Sequence, residues 1–378
     1  MRARFIVNRA LRLALLTEIP APYRIPLFNA LADRVELRVL FLAERDPRRG
    51  FYELHRDEWR FDHRVLRGRS LRRGGRWLVL NRGVLRELRR FRPDAVGVGG
   101  WNQPAFWLAL AYCKLRRIPL LVWIESTARE ERSGARTLAI ARAAMARAGA
   151  GAFVPGTASA EYARSLGIEL VETAPNAVDA GVFDVERRPH DGCVFLYVGR
   201  LDPEKAVDRL LEALAGVPAE LLVVGSGSEE ASLRARATRL ADVAGVKATF
   251  LGAIDRDELS RVYAGADVLV LPSLSEPWGM VLNEGATAGL ALVATDACGG
   301  AFDLIEEGRN GFRVPAGDTA ALHDALLVLA EDPERRAQFG SRSREIAARF
   351  TPEAWADGVV RLASSALVGG DEKRSPTR

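Results

Sequence analysis

The chain is poor in the residues that announce metal or disulfide chemistry. Its four histidines, His55, His63, His190 and His323, are scattered, and no Cys/His pair has the spacing of zinc ligands. The three cysteines, Cys113, Cys193 and Cys298, are odd in number and far apart. They make no disulfide framework and read as buried thiols of a reducing cytoplasm. No run of about 18 apolar residues occurs, so no membrane-spanning helix is expected. Repeats with a period of roughly 20 to 50 residues and low-complexity tracts are missing too, which removes solenoids and propellers. Lysine is the most telling scarcity: Lys114, Lys205, Lys247 and Lys373 stand among fifty arginines.

What is present describes a two-domain globular protein. At 378 residues, with 48% hydrophobic and 27% charged residues, the chain can bury large cores and is no disordered or coiled-coil protein. Charge is split along it. Residues 1–190 carry 34 Lys+Arg against 20 Asp+Glu, a net +14, whereas residues 191–378 carry 20 against 29, a net −9. Arginine-rich stretches, Arg67 to Arg73 and Arg86 to Arg92, suit nucleic acid, an anionic membrane surface or a phosphorylated substrate, or form a solvated basic face. No RNA-binding motif, zinc finger or helix-turn-helix pattern accompanies them, so nucleic acid is not an expected partner. The basic, then apolar N-terminus superficially suggests a signal peptide. Arg9 and Arg12 interrupt it, and Leu11 to Glu18 reads as a first strand.

Short apolar runs alternate with amphipathic stretches throughout. LALLT, VELRVLFL, AVGVGG, PLLVWI and GAFVP are followed by VFLYVG, ELLVVG, KATFLG, DVLVLPS, LALVAT and GFRVP. Such runs are the mark of parallel strands covered on both faces. Helices are predicted over Ile25 to Ala32, Trp77 to Phe91, Gln103 to Arg116, Ala206 to Ala215, Glu229 to Ala241 and Thr319 to Glu331. The alternation predicts an α/β fold of two Rossmann-like, doubly wound domains facing across a cleft. The boundary is placed where Pro and charge break the pattern, giving residues 1–177 and 178–351. A terminal helix over 352–367 and a disordered tail over 368–378 complete the layout.

Two segments carry chemistry. In FLYVGRLDPEKAVDRLLEAL a strand ends at Gly199, Arg200 follows, and Lys205 lies near the next helix start, where two cations can hold a diphosphate. A lysine in a chain that otherwise uses arginine suggests a site where a point charge is required, the plainer alternative being a surface pair with Asp202 or Glu204. In DVLVLPSLSEPWGMVLNEGATAGL, Glu276 precedes Glu284 by seven intervening residues. A helix beginning near Gly279 would aim the free N–H groups of Gly279, Met280 and Val281 at phosphate oxygens. Glu284 then suits ribose hydroxyls and Glu276 a sugar. Asp255-Arg-Asp257 has the D-x-D pattern of metal-dependent transferases but reads as a helix start, and Gly225-Ser-Gly227 lacks the third glycine of a dinucleotide fingerprint.

The combination G-R-x4-K, then E-x7-E within SEPWGMVLNE, resembles the nucleotide-sugar domain of family 4 glycosyltransferases, which have the GT-B fold. APNAVD, VVGSGSE, TFLGAIDRDELSRVYAGADVLVLPS and ACGGAFDLIEEGRNGFRVPAGD follow the family order, so the resemblance runs over about residues 174 to 350. It is weaker in the front half, where TEIPAPYRIPLFNAL and GGWNQPAFWLAL resemble a subgroup acting in cell-surface polysaccharide or glycolipid assembly.

The resemblance implies that Arg200 and Lys205 neutralise the leaving diphosphate, Glu276 holds the transferred sugar, Glu284 holds the ribose, and Gly199 and Asn176 belong to the donor site. It also implies retention of configuration, no metal or other cofactor, and a terminal helix that packs back on the first domain. The first strand-to-helix loop departs from the usual Gly-Gly pair and reads Ile19-Pro-Ala-Pro-Tyr-Arg24. That leaves Arg24 for phosphate or acceptor, or for a capping role. A histidine common in the family is missing after LLVWI, where Glu125 stands instead, as a catalytic-site carboxylate that binds a sugar hydroxyl or assists the acceptor, the alternative being a buried structural carboxylate. Trp101 and Asn102 suit sugar contact, by stacking and by hydroxyl readout. Ala206 replaces a usual Gly and Asp303 a usual Glu.

The expected function is transfer of a sugar from a nucleotide-sugar to a lipid-linked or glycan acceptor, in the cytoplasm, either free or peripheral on the inner membrane face. A non-catalytic nucleotide-sugar-binding scaffold and a nucleotide-sugar epimerase are the alternatives.

Overall fold

The computed structural model describes residues 10–46, 54–73, 76–129, 136–188 and 190–372. The first sheet is built from Arg12–Thr17 (β1), Glu36–Phe41 (β2) and Asp62–Val65 (β3), with a separate antiparallel hairpin of Gly68–Arg73 (β4) and Arg76–Asn81 (β5). Ala95–Val98 (β6), Leu120–Trp123 (β7), Gly151–Val154 (β8) and Val171–Thr173 (β9) complete it. Its order is β3-β2-β1-β6-β7-β8-β9, all parallel. The second sheet comprises Val194–Val198 (β10), Glu220–Val224 (β11), Lys247–Gly252 (β12), Val268–Leu271 (β13), Ala291–Thr295 (β14) and Gly311–Val314 (β15). Here the order is β12-β11-β10-β13-β14-β15, again parallel throughout.

Burial explains the strands. Phe195, Leu196 and Tyr197 on β10 and Val268, Leu269 and Val270 on β13 are fully buried, because helices cover both sheet faces. In each sheet the chain first winds outward from a central strand and then returns to its other side. The reversal falls between β1 and β6 in the first sheet and between β10 and β13 in the second. Loops leaving the carboxyl ends of such paired strands diverge and open a crevice, which is where open α/β sheets bind ligands.

The chain crosses from the first sheet to the second after Thr173 and returns at its end. Pro352–Glu372 forms a helix whose Trp355, Ala356, Val359, Leu362 and Ala363 enter the core of the first sheet. Trp355 is fully buried, with ring centroids 5.4 Å from Trp123 and 6.1 Å from Phe28 and Phe153. This helix continues to Glu372, past the expected end at 367. Once formed, a helix extends at little cost beyond its packed stretch, whose last buried residue among those described is Ala366. Residues 373–378, the rest of the expected tail, lie outside the described residues.

The helix predicted over Trp77 to Phe91 is in fact two elements. Arg76–Asn81 is β5, with Trp77 and Val79 buried and Leu80 exposed, an alternation of period two. Only Val84–Phe91 is helical, after Gly83 at φ +97°. All three cysteines are buried and free, and burial pushes each thiol up to about 12.

Candidate functional site

The loops after β10 and β13 meet at the switch point of the second sheet. Gly199 and Gly225 end β10 and β11 with φ of +157° and +130°, and a Cβ on Gly225 would lie 1.8 Å from the Gly199 carbonyl oxygen. Only glycine allows that backbone approach. The loop is then pinned: Tyr197 donates to the Arg200 carbonyl at 2.6 Å, and Leu201 N–H to Ser226 at 2.9 Å. Leu274 N–H donates to the Glu204 carbonyl at 2.8 Å, which joins this loop to the one after β13.

That junction brings Lys205 and Glu276 together. The Lys205 ammonium is hydrogen-bonded to the Glu276 carboxylate, with side chains 12% and 16% exposed. The alternative pair of Lys205 with Asp202 or Glu204 is not what forms. Arg200 takes both, contacting Asp202 and reaching Glu204 at 2.7 Å, and remains 58% exposed. Lys205 closes the 3-10 turn Pro203–Lys205 rather than starting a helix; Ala206 follows at φ +50°, the left-handed conformation that explains a glycine elsewhere.

Gly279, at φ +88°, precedes the helix Met280–Thr287. Met280 and Val281 occupy its first turn and lean on the second core. One turn on, the Tyr263 hydroxyl donates to Glu284 Oε2 at 2.7 Å. Burial pushes the Glu284 carboxyl up to about 7, partly offset by that bond. Asn176 is buried in the crossing segment, where its carbonyl accepts from Asn283 Nδ2 at 2.9 Å, and Asn283 Oδ1 accepts from Trp278 at 2.7 Å. Asp255 caps the helix Arg256–Ala264 by accepting from Glu258 N–H at 2.8 Å, so the D-x-D pattern is a helix start. Among the described residues, no group of three or more His, Cys, Asp or Glu is placed to hold a metal ion.

The facing switch point holds the first-domain candidates. Arg24 and Glu125, expected separately, form one ion pair at 2.6 Å. Arg24 also donates to Thr17 Oγ1 at 3.1 Å and lies 4.2 Å over the Trp123 ring. Asn102 and Gln103 both donate to Glu18 Oε1, at 2.7 and 2.8 Å. Trp101 receives the Trp107 indole N–H on its carbonyl at 2.9 Å, and Arg142 stands 5.5 Å from its ring. Glu18 and Gln103 escaped the sequence reading. The available signal was position, since Glu18 directly follows the central strand β1.

Two parallel-sheet domains with their switch-point loops across a cleft make this a GT-B protein. Residues 182–346 match the model of glycosyl transferases group 1, and residues 27–182 match that of glycosyltransferase family 4. The chain belongs to the family 4 glycosyltransferases. It is 33% identical over 220 residues to a phosphatidyl-myo-inositol mannosyltransferase of Mycobacterium leprae, a match covering 55% of this chain and 57% of that one. A D-inositol 3-phosphate glycosyltransferase of Catenulispora acidiphila is 35% identical over 192 residues, covering 47% of this chain and 44% of that one. The chain thus spans about half the length of the curated relatives it matches. Among solved structures, Anabaena HepE in complex with UDP aligns at TM-score 0.75 and 22% identity, over 94% of this chain and 100% of that one. Sucrose-phosphate synthase from Thermosynechococcus elongatus aligns at 0.72 and 21%, over 95% and 100%. At these identities the likeness concerns the fold alone.

Proposed function

We propose that the protein is a retaining, metal-independent glycosyltransferase that moves a sugar from a nucleoside diphosphate sugar to a glycan or glycolipid acceptor. The observation that carries this reading is the buried Lys205–Glu276 pair at the second switch point, flanked by Arg200. A diphosphate entering there displaces Glu276 from the lysine, and the exposed Arg200 exchanges its carboxylate partners for phosphate oxygens. The freed Glu276 is then available to the sugar hydroxyls. Both cations stabilise the charge that develops on the departing phosphate. In front-face transfer, the acceptor hydroxyl attacks from the side of the leaving group, whose phosphate oxygen takes its proton. Retention follows without a protein nucleophile.

The acceptor belongs to the opposite face. Glu18, Asn102 and the Arg24–Glu125 pair offer acceptors and donors suited to a polyhydroxylated molecule, while the buried Gln103, bonded to Glu18, the Trp77 carbonyl and Val79 N–H, holds Glu18 in place. The names of the relatives, for inositol phosphate and phosphatidyl-inositol glycosylation, favour a polar or lipid-linked polyol. No described helix is long and apolar enough to cross a membrane. Access to a lipid-linked acceptor would come by docking of the basic first half on an anionic cytoplasmic surface. Calorimetric titration with a panel of nucleotide-sugars, with and without EDTA, tests the donor half. One donor should bind unaffected by EDTA and support transfer to polyol acceptors; no binding across the panel, even with acceptor present, would refute the assignment.

A further inference from the structure

A second concentration of positive charge lies at the opposite end of the second sheet. Gly192, Asp267 and Gly289 lie within two residues of the starts of β10, β13 and β14, and a hollow of about 610 Å³ opens beside them. The strands between this hollow and the donor loops rise roughly 15 Å, so the two places are separate. Arg187, Arg188, Arg336 and Arg344 line it together with His190, against the carboxylates of Asp267 and Glu345. Arg187, Arg188 and His190 come from the end of the basic first half and Arg336 and Arg344 from the acidic second, so four arginines and a histidine meet two carboxylates here.

Arg336 and Arg344 are positioned by neutral carbonyls, which fix them without cancelling their charge, whereas Arg187 is held by Asp267. Arg336 donates to the carbonyls of Leu329 at 2.6 Å, Ala330 at 3.0 Å and Gly192 at 3.2 Å. Arg344 donates to those of Val185 and Ala288, each at 3.0 Å, with Asp184 at 3.9 Å as its nearest carboxylate. Asp267 is occupied on both oxygens: Oδ1 by Arg187 at 2.6 Å, Oδ2 by Val194 N–H at 2.9 Å with His190 at 3.4 Å. Glu345 is engaged by Arg342 at 2.5 Å. Burial holds the Arg187 guanidinium below its ordinary pKa; Asp267 pulls it back up, and the charges of Arg344 and Arg336 push it down again. A guanidinium has five N–H donors in a fork that matches phosphate oxygens, and the bonds named leave several free.

The hollow also joins both connections between the domains. Arg187, Arg188 and His190 lie on the outgoing segment between β9 and β10. Arg336 and Arg344 belong to the helix Pro333–Ala347, which leads directly into the returning helix Pro352–Glu372.

We propose that this hollow is a second anion site, distinct from the donor site, which takes a phosphate-bearing small molecule and whose occupant braces both interdomain connections. Its volume falls in the range of small-ligand pockets, roughly 300 to 1,000 Å³.

The test uses the full chain and inorganic pyrophosphate at fixed ionic strength, with the cleft site disabled by Lys205→Ala. Calorimetry on that variant should still record pyrophosphate binding. Adding Arg188→Glu or Ser341→Asp, both exposed positions on the hollow, should weaken it at least tenfold, while thermal denaturation of each variant alone stays near that of the parent. Hydrogen exchange with pyrophosphate should slow in residues 185–192 and 333–345. The proposal is overturned if Lys205→Ala abolishes all pyrophosphate binding, if either added substitution leaves the binding unchanged, or if exchange slows only at the cleft loops.

Discussion

Arg24 Nη2 stands 2.6 Å from Glu125 Oε2, so residues 101 positions apart form one charged unit at the first switch point. The guanidinium is also held by Thr17 and by the Trp123 face. Removing either partner therefore leaves the other's charge in a half-buried place, and the two removals should not add. Arg24→Ala and Glu125→Ala are each expected to cut transfer by tenfold or more, about 1.4 kcal/mol of barrier. The double variant should lose hardly more than either single one. A double-mutant cycle on transfer rate measures this, and strict additivity would show that the pair does not act as a unit.

The Lys205–Glu276 contact sets ligand against protein for one cation. Glu276→Gln keeps the shape but removes the competing charge. Nucleoside diphosphate should then bind several-fold more tightly while sugar transfer falls by about 10²-fold, since the hydroxyl partner is weakened. Lys205→Ala should lose both, with transfer down roughly 10² to 10³-fold, the range for one preorganised charge partner. Calorimetry and initial rates separate the two variants. Glu276→Gln weakening binding and transfer alike would remove its assignment to the sugar.

Much of this arrangement was legible in the sequence because parallel strands buried on both faces write themselves as apolar runs. β1, β2, β6 to β8 and β10 to β15 all lie on runs recognised there. WLVL at 77–80 was misread because a short apolar stretch fits a strand as well as a buried helix turn; the hairpin partner GRSLRR decided it. Side-chain pairing was less visible. Arg200 and Lys205 were recognised as a pair of cations, but which carboxylate each holds depends on a loop seventy residues away. Glu18 has no partner at a telling spacing, since it gathers Asn102 and Gln103 from another strand's end. The hollow below the sheet was invisible for a different reason. Its arginines come from distant segments, and among fifty arginines none stands out.

Glu284 should make the empty site costly at alkaline pH. Its carboxyl is raised by burial from an ordinary 4.5 to about 7, so the folded protein favours the protonated form. The associated stability is complete below about pH 4.5, declines as pH rises through 7, and is lost above. Glu284→Gln keeps an acceptor for the Tyr263 hydroxyl and removes the buried charge. At pH 8 the ligand-free variant should be more stable than the parent by on the order of 1 to 3 kcal/mol, a difference that vanishes near pH 4. Donor binding should move the other way, with the parent gaining affinity as pH rises through 7 and the variant showing no such gain. Denaturant titrations and calorimetry at pH 5 and pH 8 check both arms, and a pH-independent stability difference would contradict the burial argument.

Asp303 of the second domain caps a helix of the first, and that contact should govern how tightly the cleft closes. Its carboxylate accepts from Thr157 N–H at 3.0 and 3.1 Å and from Thr157 Oγ1 at 2.7 Å, at the start of the helix Thr157–Ser165. Gly156 makes room: a Cβ there would lie 2.3 Å from Asp303 Oδ2 and 2.7 Å from the Trp278 ring. An anion at a helix N-terminus satisfies free N–H groups and is worth about 1 kcal/mol. Within one domain its loss would lower stability alone. Between domains it should also release the closed arrangement. Asp303→Ala is therefore expected to increase the radius of gyration in solution scattering and raise KM for the donor several-fold. Gly156→Ala should produce the same opening by pushing the carboxylate off the helix. Combined, the two should change scattering and KM no more than either alone, because both remove one contact. If Asp303→Ala lowers the melting temperature without altering scattering or KM, the cap is structural and closure is held elsewhere.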